Sequence, residues 1–111
     1  MFPGRDKLMP VIVVTGEPGS GKTTFVKESK SPEGIVIDFD AIAYAFGSEV
    51  NHHNQTHRYQ HLRIARAVWS YAVARLLSEP GIEQVWLIHA KPKAWQMKQY
   101  RERGWKVIHL G

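Results

Sequence analysis

The sequence predicts an α/β fold of three layers, with a small four-stranded parallel sheet and helices on both faces. Three observations predict it. Short apolar runs rich in β-branched residues alternate with segments of helical periodicity. The first run, Pro10-Val-Ile-Val-Val14, lacks the polar alternation of a half-exposed strand and reads as a strand buried on both faces. The chain is 111 residues long. That length fits a single domain over residues 1–111, able to bury roughly two thirds of the surface its unfolded form exposes.

The elements follow in order. After the first strand comes a glycine-rich segment, and Thr23 to about Ser29 reads as a helix, stopped by Lys30-Ser-Pro-Glu-Gly34. Ile35-Val-Ile-Asp38 is a second short strand ending in a carboxylate. Asp40 to Phe46 reads as a short helix with Asp40 as its N-cap and Gly47 at its end. Residues 48–56 are polar and rich in His and Asn, the composition of a loop.

The longest helix is expected from about His57 to Ser78. Leu62, Ala65, Val68, Trp69, Ala72, Val73 and Leu76 recur at spacings of three and four and form one apolar stripe, and Pro80-Gly81 ends it. Gln84–His89 is a third strand, Pro92–Arg103 a helix with Gly104 as its natural stop, and Trp105–Leu110 a fourth strand. Strands separated by helices imply right-handed crossovers within a parallel sheet. Trp69, Trp86 and Trp95 are expected in the core or between helices and sheet.

The formal charge of +5 and the pI of about 9.7 suit phosphate-rich partners such as nucleotides or nucleic acid. There is no cysteine, which excludes disulfides, thiolate catalysis and cysteine-based metal sites and fits a reducing cytoplasm. No segment approaches the roughly 20 apolar residues that span a bilayer. The apolar run from Leu8 to Val14 is too short, and too soon followed by glycines, for a signal peptide.

The segment Gly16-Glu-Pro-Gly-Ser-Gly-Lys-Thr23 meets the Walker A pattern G-x-x-x-x-G-K-[ST] in full, between a buried strand and a helix. Gly16, Gly19 and Gly21 allow positive φ and let backbone N–H groups approach phosphate oxygens. The helix N-terminus adds partial positive charge. Lys22 is expected on the β- and γ-phosphates, and Thr23 offers a hydroxyl to Mg²⁺. The expected nucleotide site is therefore Gly16, Glu17, Pro18, Gly19, Ser20, Gly21, Lys22, Thr23 and Thr24, with Mg-ATP as the leading ligand.

Asp38 and Asp40 fall at the C-terminal end of the second strand, the edge where ligands bind in open parallel sheets. A carboxylate there can hold Mg²⁺, a role assigned to Asp38 beside Thr23. It can also take a proton from an attacking hydroxyl.

This loop, followed about fifteen residues later by Ile37-Asp-Phe-Asp40, resembles the P-loop kinases of the polynucleotide-kinase type. It is similar above all to small phage-encoded ATP-binding proteins of AAA type. The resemblance extends through the third strand to Tyr100-Arg-Glu-Arg-Gly-Trp-Lys-Val-Ile-His109. It implies a P-loop NTPase fold and an ATP-dependent phosphotransferase acting on a nucleic-acid 5′-hydroxyl, a nucleoside or a nucleotide. Lys22 and Asp40 carry the chemistry in that reading, with Asp38 second in line as base. The sequence departs from the pattern in three places. Ala43 stands where those kinases carry an arginine, the third strand ends in His89 instead of an acidic residue, and their arginine-bearing lid lies beyond the fourth strand, where this sequence ends at Gly111. The alternative is a nucleotide-binding module or ATPase without acceptor chemistry. An oligomeric ATPase of AAA type ranks last, for want of a helical lid and a strand-ending Asp-Glu pair.

His53, His57 and His61 lie four apart and would share a helical face, a metal-binding spacing without a carboxylate or thiolate beside it in sequence. The similar kinases have acceptor-side elements in the stretch that corresponds to Asn51–His61, so the resemblance implies that its polar, ring-bearing residues contact a nucleic-acid or nucleotide acceptor. Lys91 and Lys93 follow the third strand and are the cations best placed for phosphate. Arg58, Arg63, Arg66, Lys98, Arg101 and Arg103 read as solvated faces.

Overall fold

A computed structural model describes residues 11–49 and 57–111. The described residues form β1 (Val11–Gly16), α1 (Lys22–Ser29), β2 (Ile35–Asp38), α2 (Phe39–Ala45), α3 (Tyr59–Ser78), β3 (Val85–Ile88), α4 (Ala94–Glu102) and β4 (Lys106–Leu110). The four strands make one sheet in the order β2-β3-β1-β4, every neighbouring pair parallel.

That order explains the layers. The chain moves past β3 to reach β2, then reverses, returning to β3 and passing β1 to reach β4. Right-handed crossovers in opposite directions put their helices on opposite faces. One face carries α1, whose Val26 and Phe25 pack on Ile12, Val14, Trp86 and Ile88. The other carries α2, α3 and α4, packed on Val11, Val13, Ile37, Val85 and Leu87. Alternate residues of β1 and β3 thus serve two cores, which is why neither strand shows a polar face. β2 lies at the edge, and its Ile35 and Val36 are exposed.

The expected elements are present with small shifts. β1 runs on through Thr15 and Gly16 because both stay paired with β4, and Thr15 Oγ1 meets His109 Nδ1 at 2.8 Å. Pro10, expected to open this strand, lies outside the described residues. The α3 stripe buries Ala65, Trp69 and Val73, with Leu62, Ala72 and Leu76 partly buried, but Val68 is exposed.

Two expectations are corrected. The N-cap of α2 is Asp38, whose side chain accepts a hydrogen bond from the Ala41 amide at 3.1 Å; Asp40 sits inside the first turn. The helix starts earlier because Phe39 is drawn into the core against Trp69 and His89. Trp69 and Trp86 are buried as expected, but Trp95 is 56% exposed. Helix α4 packs through Tyr100 and Met97, and Trp95 falls roughly 140° around the helix from Tyr100. No helix among the described residues is long and apolar enough to cross a membrane.

Candidate functional site

The reversal in winding occurs between β1 and β3, which are neighbours in the sheet. Their C-terminal loops leave towards opposite faces, and such a crevice is where open α/β sheets bind ligands. Gly16 amide to Ala90 carbonyl, 3.1 Å, ties the two loops together at its base.

The glycine loop from β1 to α1 forms one wall. A side chain at Gly16 would collide with the Leu110 carbonyl and the Ser20 hydroxyl, so the close approach of β4 requires glycine there. Gly21, at φ 89°, is the N-cap of α1 and has open space where a side chain would be. No side chain caps this helix, and its first intrahelical bond runs from Phe25 N to Gly21 O at 2.8 Å. The amides of Lys22, Thr23 and Thr24 precede that bond and are available to an anion. Lys22 Nζ lies over the loop, donating to the Glu17 carbonyl at 2.9 Å and reaching Ser20 Oγ at 3.5 Å.

A cavity of about 340 Å³ gathers most of the expected site: Pro18, Gly19, Gly21, Lys22, Thr23, Thr24, Asp38 and Asp40 all line it. Gly16 and Ser20 shape the loop without lining that space. Glu17 points outward to an exposed ion pair with Lys91 at 3.2 Å. Burial raises the Asp38 carboxyl above its ordinary range, and neighbouring Asp40 adds to this, against the Ala41 hydrogen bond and Lys22, which lower it.

A second cavity, about 250 Å³, adjoins the first and shares Pro18 and Asp40 with it. Its apolar side is Phe39, Leu62 and His89, and its cations are Arg66, Lys91 and Lys93. Arg66 is exposed, as expected, and it also lines this cavity. Helix α3 brings it in from far along the chain, which sequence spacing does not reveal. His89 stacks on Phe39 with ring centroids 5.0 Å apart, and its Nδ1 meets the Tyr100 hydroxyl at 2.9 Å. Burial lowers the His89 pKa to about 4, opposed by Asp40 and assisted by Arg66. Burial also pushes Tyr100 up to about 12, so its hydroxyl keeps the proton it shares with His89.

The histidines separate. His53 lies outside the described residues. His57 precedes α3 instead of lying on it, and it meets a carboxylate that the sequence placed far away: Asp40 Oδ1, 2.8 Å from His57 Nε2. Among the described residues no group of three or more His, Cys, Asp or Glu could hold a metal.

A larger groove, about 580 Å³, runs between α3 and α4 away from the glycine loop, and it meets the second cavity at Phe39, Arg66, His89 and Gln96.

No protein-family model matches this chain, and no curated protein matches its sequence.

Proposed function

We propose that the protein is a P-loop phosphotransferase, which passes the γ-phosphate of Mg-ATP to a hydroxyl acceptor in the cytoplasm. The single observation carrying this reading is Asp40, which lines both the cavity of Lys22 and Thr23 and the cationic cavity beside it. A base between donor and acceptor is the arrangement phosphoryl transfer needs, because its catalysis is mostly positioning and charge.

The residues suit the donor. Gly19, Gly21 and the first amides of α1 would cradle the phosphates, with Lys22 leaving the Glu17 carbonyl for a phosphate oxygen. Thr23 and Asp38 would hold Mg²⁺. They present one hydroxyl and one half-buried carboxylate, the sparse hard-oxygen set that Mg²⁺ accepts when phosphates and waters complete its shell. The ion would neutralise charge on the β- and γ-phosphates. Asp38 Oδ1 accepts from the Ala41 amide, and we assign the Mg²⁺ role to its other oxygen.

On the acceptor side, Asp40 takes the hydroxyl proton while Arg66, Lys91 and Lys93 stabilise the charge around the transferring group. A nucleic-acid 5′-hydroxyl, a nucleoside and a nucleotide are the acceptors that the resemblance to polynucleotide-type kinases suggests. A transfer assay with γ-labelled ATP on all three tests the reading. Labelled product from at least one supports it; none, with folded protein that binds ATP, rejects it.

One observation favours a second reading, a nucleotide-binding module without acceptor chemistry. Ala43, where the similar kinases carry an arginine, is fully buried against the sheet, so α2 offers no cation there. Biological activity that survives Asp40→Asn and is lost with Lys22→Ala would select it.

A further inference from the structure

The contact between Asp40 and His57 belongs to a longer chain of contacts. The other ring nitrogen of His57, Nδ1, meets the Ser48 hydroxyl. Ser48 is buried, and its amide donates to the Ala43 carbonyl at 3.1 Å, so it is anchored to the end of α2. The His57 side chain is 7% exposed. The Tyr44 ring packs against it at an interplanar angle of 67°, with centroids 5.2 Å apart. The contacts form a closed circuit: α2 carries Asp40 in its first turn, its last turn holds Ser48, and His57 spans the two.

Hydrogen-bond chemistry sets the direction of the circuit. An ionised carboxylate only accepts, so Nε2 carries the proton. In neutral imidazole Nδ1 is then the acceptor, and Ser48 donates its hydroxyl hydrogen. Asp40 Oδ1 is thereby occupied. Oδ2 makes no hydrogen bond among the described residues.

From this geometry we infer that His57, held by Ser48, is a positioning residue for Asp40. It locks Oδ1 and leaves Oδ2 to meet the acceptor. The inference rests on the phosphotransferase reading. In the step it serves, the acceptor O–H gives its proton to Oδ2 as its oxygen bonds to the γ-phosphorus. The bond from that phosphorus to the β–γ bridging oxygen breaks, and ADP leaves. His57 keeps its own proton throughout, and Asp40 later returns the acquired one to solvent. With Ala43 supplying no cation, His57 is the group among the described residues that orients this carboxylate from outside α2.

The test uses the full chain, γ-labelled ATP and a 5′-hydroxyl oligonucleotide, nucleoside or nucleotide, whichever the wild type phosphorylates. Displacing a reacting group by about 1 Å can cost about 10²-fold in rate. On that scale His57→Ala lowers kcat about 10–100-fold, with the KM for ATP changed by less than about twofold. His57→Gln, whose amide can still donate to Oδ1, recovers about tenfold of the loss. A role confined to holding the fold together would not split kcat from KM or be rescued by glutamine. Separately, ¹⁵N NMR of the imidazole reads the Nε2–H tautomer in the wild type and a mixture in Asp40→Ala. This measurement also decides the matter if His57→Ala does not fold. An unchanged kcat in His57→Ala, no gain from glutamine, or an Nδ1–H tautomer in the wild type overturns the inference alone. No transfer by the wild type to any hydroxyl overturns the phosphotransferase reading and the inference with it.

Discussion

The glycine loop and the cavity beside it share Pro18 and Asp40, yet the chain builds them by different means. The loop is made of main chain. Eight consecutive residues, Gly16 to Thr23, set its course, and glycine is needed where β4 crowds Gly16 and where φ turns positive. The cavity is made of side chains from α2, α3, the loop after β3 and the segment before α3, and its order depends on contacts such as His57 to Asp40. A main-chain site tolerates changes in most of the side chains around it, with Lys22 and Thr23 the exceptions here. A side-chain site loses its geometry when one member goes. The two regions are therefore expected to fail differently when mutated.

The largest separation is expected from Asp40→Asn. In the proposed reaction it removes the proton acceptor and leaves the loop intact, so kcat should fall by about 10²–10⁴-fold, the range general-base catalysis supplies. ATP affinity, measured by calorimetry, should stay the same. Equal losses in both would mean that the two regions are one unit.

The next effect is on stability. His89 floors the side-chain cavity with a pKa lowered to about 4 from 6.5, so the unfolded chain takes up its proton first. Unfolding binds a proton between those values, and acid favours it. Stability from His89 is full above about pH 6.5 and is lost as pH falls towards about 4, by at most roughly 3 kcal/mol. Asp38, raised by burial, acts in the opposite sense near its own range. Urea unfolding at pH 7 and pH 4.5 should show the loss, and His89→Gln should flatten it. An unchanged slope in that variant would place the acid sensitivity elsewhere.

The smallest effect is expected at Trp95. It is exposed on α4, outside both regions, and its replacement by alanine should change stability by less than about 0.5 kcal/mol in chemical denaturation. A larger loss would show that the groove between α3 and α4 helps hold the cavity.

The same contrast decides what the sequence made legible. The strands, the helices and the loop are written in adjacent residues, as periodicity, glycines and β-branched runs, and they were readable within one or two residues. Asp38 and Asp40 were readable because they directly follow β2. Their division of labour was not: which one caps α2 depends on Phe39 turning into the core against Trp69 and His89. His57 and Arg66 could be seen as polar residues near a helix start. Their meeting with Asp40 and Lys91 around one cavity requires α3 to dock on the sheet, and no local pattern encodes that. Trp95 was misplaced for a related reason: an aromatic in an amphipathic helix reads as core until its angle from Tyr100 is fixed by packing.

In the proposed function, Gly16–Thr23 holds the phosphates of a nucleoside triphosphate. Calorimetric titration of Mg-ATP into the wild type and Lys22→Ala tests it most directly. Hydrogen bonds to charged groups contribute about 1.5–3 kcal/mol, so the wild type is expected to bind measurably and the variant about 10–100-fold more weakly. Equal affinity in the two, or no binding by the folded wild type, would contradict it.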